Sequence, residues 1–69
     1  MIKKRSVLVA GHPTSVTLEE PFWEVLKELA AARGVPVGTL IEEVDAARTG
    51  NLSSALRVYV LESVRRDRA

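Results

Sequence analysis

The sequence predicts a mostly α-helical single domain with a short β ribbon, assembled as a homodimer. The segment Thr14-Ser15-Val16-Thr17-Leu18 alternates polar and apolar residues with the period of a strand. Three longer segments follow it and repeat apolar residues at helical spacing. The chain has 69 residues, 46% of them hydrophobic, and no cysteine. A core that small is marginal alone and cannot be stapled by disulfides, and the chain carries more apolar surface than one small globule hides. Self-association is the remaining supplement.

The first element is a strand over 4–10, rich in β-branched residues, with Val7 and Val9 on one face and Ser6, Leu8 and Ala10 on the other. Gly11-His12-Pro13 interrupts it and forms a turn. The ribbon strand spans 14–18: Val16 and Leu18 face a core, while Ser15 and Thr17 put small hydroxyls on the opposite face.

A helix over 20–33 follows directly. Acids beside Pro21 suit a first turn, where proline's missing N–H costs nothing and negative charge meets the positive end of the helix dipole. Phe22, Val25, Leu26 and Leu29 form its stripe, Trp23 flanks that stripe as a partly buried residue, and Gly34 ends it. A second helix over 37–48 carries Val37, Leu40, Ile41 and Val44. Pro36 stands where a capping hydroxyl or carboxylate would be expected, and Gly38 weakens the first turn by up to about 1 kcal/mol. The third helix, over 52–67, is capped by Asn51 or Ser53 and turns Ala55, Leu56, Tyr59, Val60 and Val64 inward. Its apolar middle is nearly all-round, which suits burial between subunits. The parallel spacing of Gly34, Leu40 and Val44 with Gly50, Leu56 and Val60 follows from helix periodicity and needs no internal repeat.

Charge and composition limit the function. Ten Lys and Arg against nine Asp and Glu give a net charge of +1, far from the strongly basic balance of many nucleic-acid binders. The basic groups sit at the two tips, Lys3, Lys4 and Arg5 at one and Arg65, Arg66 and Arg68 at the other. The single histidine, His12, reads as an exposed turn residue. With scattered glutamates it offers no nucleophile, base and orienter set, so no enzyme activity, metal or other cofactor is expected. No apolar run approaches the roughly 18 residues of a membrane span, so no membrane association and a cytoplasmic location are expected.

The run T-S-V-T-L-E-E-P-F-W-E-V-L-K-E-L-A, followed by R-G-V-P-V-G-T-L-I-E-E-V, resembles the ribbon-helix-helix family of DNA-binding repressors and antitoxins over about residues 14–48. The agreement lies in the strand's inward residues, the helix stripe and the glycine turn. The strand over 4–10 and the third helix make the chain an extended variant. The resemblance implies a homodimer in which each chain gives one strand to an intersubunit antiparallel sheet that enters the DNA major groove, with a dimer or a higher oligomer both open. Ser15 and Thr17 would then read base edges. Lys3, Lys4 and Arg5 would reach phosphates or a minor groove as a flexible arm, or remain a solvated, disordered start. The backbone at Val37, Gly38 and Thr39 would hold a phosphate at a helix N-terminus. The chain departs from the family at Pro13, where many relatives carry a basic or amide side chain. Hydroxyls discriminate bases less strongly than Arg or Asn. The implied function is a dimeric transcriptional regulator. The alternative is a dimeric module that binds a protein partner, such as a toxin or another regulator, through its third helix.

Overall fold

The computed structural model describes residues 2–9, 11–48 and 50–67, of which residue 67 is described by its backbone only. Five elements follow in order: β1 (Ile2–Val9), β2 (His12–Glu19), α1 (Glu20–Arg33), α2 (Val37–Ala47) and α3 (Leu52–Asp67). Both strands are longer than the sequence pattern indicated, and they pair with each other as an antiparallel hairpin within one chain.

The register runs from Ile2 opposite Glu19 to Val9 opposite His12. His12 and Pro13 are taken into the strand pairing, so the expected three-residue turn of Gly11, His12 and Pro13 is replaced by a tighter connection that contains Gly11. Gly11 makes this possible with φ at 81°, the positive region that short hairpin turns demand and glycine enters without strain. His12 and Pro13 already belong to β2, across from Val9 and Leu8. The expectation for Ala10 lies outside the described residues.

Because side chains alternate along a strand, the pairing gives the sheet two chemically different faces. Arg5, Val7 and Val9 share the inner face with Val16 and Leu18. The last two are fully buried, and Val9 is nearly so. Beneath them the helices contribute Leu26, Leu40, Ile41 and Leu56, all without exposed surface. Burial of a leucine or valine side chain stabilises by about 1.5–3 kcal/mol, so this one cluster dominates the fold.

Glu19 caps α1 only through its extended backbone, with Pro21 and Glu20 in the first turn. At the other end Gly34 takes φ 73°. Its N–H donates to the Ala31 carbonyl and that of Val35 to the Ala30 carbonyl, both at 3.0 Å, the paired bonds that close a helix on a left-handed residue. Along α1 the buried residues are Trp23, Leu26 and Ala30, while Phe22, Val25 and Leu29 are half-buried. The stripe is thus rotated by one position, and Trp23 is a core residue rather than a flank. The cause is Arg5 on the inner sheet face, whose guanidinium lies 4.6 Å from the centre of the indole ring and holds the ring under the sheet.

Pro36 serves as the extended residue before α2, its carbonyl accepting from Thr39 at 3.0 Å. The helix ends at Ala47, and Arg48 folds back to Asp45 and the Gly50 carbonyl. For α3 the cap is Asn51, whose Oδ1 accepts from the Ser54 N–H at 3.1 Å. Ser53, the other candidate, is used elsewhere. Leu56, Val60 and Ser63 form the buried line of α3. Val64, expected inward, is 38% exposed and joins Val58 and Leu61 on an outward apolar side.

Candidate nucleic-acid interface

The outer face of the hairpin collects Lys4 opposite Thr17, Ser6 opposite Ser15, and Leu8 opposite Pro13, every one of them exposed. Three hydroxyls and one ammonium therefore stand together on a pleated surface, with only the core beneath to orient them. Hydroxyls donate or accept as required, and the ammonium supplies a point charge. Ser15 and Thr17 occupy the outward positions that alternation assigned to them. Ser6 joins them only through pairing across the hairpin, a relation visible once the turn is known to be the tighter one.

Alternation divides the basic run. Lys4 points outward, while Lys3 and Arg5 follow the inner-face parity opposite Leu18 and Val16. The run is strand, not a loose arm. Arg5 gives two hydrogen bonds to the Glu20 carboxylate, at 2.7 and 3.0 Å, and stacks over Trp23. Its Nε is buried without a partner. Such a guanidinium is committed to the fold. Lys3 stays exposed at the strand's end.

Glu19 lies at the rim of the outer face. Arg57 donates to its carboxylate at 3.0 Å, and this hydrogen bond holds the carboxyl below its ordinary pKa. The rim acid therefore carries its own counter-ion. Arg57 also donates to the Thr17 carbonyl at 3.3 Å, and the Thr17 N–H donates to Ser53 Oγ at 2.9 Å. Both backbone groups of Thr17 are thus taken by the start of α3.

Gly38 and Thr39, at the start of α2, are half-buried beside β1. A Cβ on Gly38 would stand 3.7 Å from the Leu8 carbonyl, so this helix end borders the turn half of the sheet. Val37 belongs to the same turn. Among the described residues no cluster of His, Cys, Asp or Glu could hold a metal ion, and no helix is long and apolar enough to cross a membrane.

The architecture is a polar-faced, two-stranded β ribbon set on a layer of helices. The chain belongs to the ribbon-helix-helix domain family, whose model matches residues 2–64. Members of that family are generally DNA-binding regulators or antitoxins, on a fold that is not enzymatic. The chain is also similar to a solved structure, that of an uncharacterized protein from Bordetella pertussis Tohama I, with 39% identity and a TM-score of 0.73. The match covers 88% of this chain and 54% of that one, so the chain spans about half the length of the solved relative. No curated protein matches it.

Proposed function

We propose that this protein is a dimeric DNA-binding transcriptional regulator that presents the outer face of its β ribbon to the major groove. The observation that carries the reading is the exposed cluster of Lys4, Ser6, Ser15 and Thr17 on the sheet of a ribbon-helix-helix domain. A two-stranded ribbon fits the roughly 12 Å width of the groove, and hydroxyls pair with either kind of base edge. Lys4 lies among them as the phosphate or base-edge cation. Lys3 at the strand's end, the Gly38 N–H and the Thr39 hydroxyl serve flanking phosphates. Arg5, held by Glu20 and Trp23, supports the sheet and takes no part in contact.

The test is a gel-shift titration against genomic fragments at several salt concentrations. Retarded complexes whose affinity falls steeply with salt are expected, because phosphate contacts release counter-ions. Ser15→Ala combined with Thr17→Ala should lose specific binding and keep much of the non-specific mode. Absence of any retarded species at low salt would remove the DNA reading.

One observation favours a second reading. Val58, Leu61 and Val64 leave an apolar side of α3 exposed, at 53%, 54% and 38%, and such a side suits a protein partner. An antitoxin-like module would bind through it. Recovery of a stoichiometric protein complex free of nucleic acid would support that role.

A further inference from the structure

Resting on the reading of the outer sheet face as the DNA-facing surface, we infer that Leu8 and Pro13 form an apolar reader on that face. The pair recognises the 5-methyl group of thymine and supplies a sequence preference that the hydroxyls beside it lack.

The outer face is ordered in rows along the hairpin. Lys4 lies opposite Thr17, Ser6 opposite Ser15, and Leu8 opposite Pro13. The first two rows present an ammonium and three hydroxyls. The third presents no polar side-chain atom. Leu8 is 62% exposed, and Pro13 is exposed across from it. Single apolar residues scattered over a surface are ordinary, but side chains directly opposite in an antiparallel sheet stand only about 5 Å apart. The two therefore make one apolar spot, continuous with the polar rows and on the same side of the sheet.

The chemistry of the face selects what this spot can meet. Among the described residues the two strands place no Arg, Asn or Gln on it, and those are the side chains that grip one base with two hydrogen bonds. Hydroxyls serve either kind of base pair, and Lys4 acts as a point charge. Discrimination has to come from the remaining row. In the major groove every base edge shows donors or acceptors, and thymine alone adds an apolar group, its C5-methyl. Leu8 and Pro13 gain by covering that methyl. Against an amino group or a carbonyl oxygen they would strip water and return no hydrogen bond. The departure at Pro13, which removes a polar reader from the ribbon, thus contributes to an apolar one.

The backbone fixes where the spot lies. Val7 and Val9, on either side of Leu8, pack inward on the core, so Leu8 projects outward from a strand held on both sides. The start of α2 lies against it, since a Cβ on Gly38 would stand 3.7 Å from the Leu8 carbonyl. Proline restricts its own φ at the partner position. Leu8 lies four residues from Lys4 on β1, about 13 Å at strand spacing. The thymine contact is therefore set at a fixed offset from whatever the ammonium meets.

The experiment compares gel-shift titrations of each retarded genomic fragment prepared with thymidine and with deoxyuridine, which lacks only the 5-methyl group. Covering one methyl is worth about fourfold in affinity, so with one contact from each copy of a dimer the thymidine form should bind about tenfold more tightly. Leu8→Ala should bring the ratio close to one, and Leu8→Met should keep most of it. Lys4→Ala should weaken both forms and leave their ratio unchanged. The comparison on the unmutated chain needs no variant to fold. Equal binding of the two forms overturns the inference while leaving the DNA reading intact, and so does a preference that survives Leu8→Ala. A loss of binding in Leu8→Ala that sedimentation traces to dissociated dimers also overturns it, because the spot would then be a contact between copies. No retardation of either form at low salt removes the DNA reading and this inference together.

Discussion

The two faces of the hairpin are built from neighbouring residues and behave as different materials. Val16 and Leu18 face inward without exposed surface, while Ser15 and Thr17, each one residue away, are solvent-facing. The same division splits the basic run, with Lys4 free on the outside and Arg5 locked to Glu20 and Trp23 on the inside. Strand parity, not residue type, decides whether a cation serves the fold or a ligand. A one-residue slip would exchange the two roles.

The largest expected contrast is between adjacent positions of β2. Leu18→Ala removes a fully buried side chain and should cost about 2–5 kcal/mol in chemical denaturation. Thr17→Ala should change stability by no more than about 0.5 kcal/mol, since its side chain is exposed. Similar losses from both would contradict the two-faced sheet.

Next comes the division of the cations. Arg5→Ala loses the paired hydrogen bonds to Glu20 and the stack on Trp23, and should lower stability by about 1–2 kcal/mol. Lys4→Ala should leave stability nearly unchanged and instead reduce the slope of log affinity for DNA against log salt by about 1 per chain. If the salt slope responds to Arg5 and not to Lys4, the assignment of faces is reversed.

A smaller effect is expected at the covered edge of β2. Ser53→Ala deletes the acceptor of the Thr17 N–H and should cost about 0.5–1.5 kcal/mol by thermal or urea denaturation. The Thr17 amide should also exchange faster with solvent. Unchanged protection there would mean that α3 does not cover the edge.

The smallest effect is electrostatic. Glu19, Glu24 and Glu43 are held below the ordinary carboxyl value of 4.5, first by hydrogen bonds from Arg57, Lys27 and Arg33 respectively. A lowered folded-state pKa contributes stability that is present above the unfolded value and fades as pH falls through the folded one. Stability should therefore decline slightly below about pH 4.5, and Glu43→Gln should flatten part of that decline in denaturation midpoints measured against pH.

Much of this was legible in the residues because its causes are local. Pro21 and Gly34 bound α1 by their own backbone chemistry, and the first and third helices begin and end where the sequence places them. The alternation of Thr14 to Leu18 fixed the outward Ser15 and Thr17. What escaped depends on contacts distant in sequence. Trp23 enters the core because Arg5, on another element, stacks on it. Ser53 leaves the cap to Asn51 because Thr17 offers it an N–H. Ser6 joins the outer cluster only because Gly11 permits a tight turn. Local rules place elements, but the partner of each polar group is chosen by topology.

The most direct test of the DNA-facing sheet is an NMR titration of the protein with a short duplex at low salt, following backbone amide shifts. The predicted result is a set of perturbations centred on Lys4, Ser6, Ser15 and Thr17, weakening as salt is raised. Perturbations confined to Val58, Leu61 and Val64 on α3, or none at low salt, would contradict it.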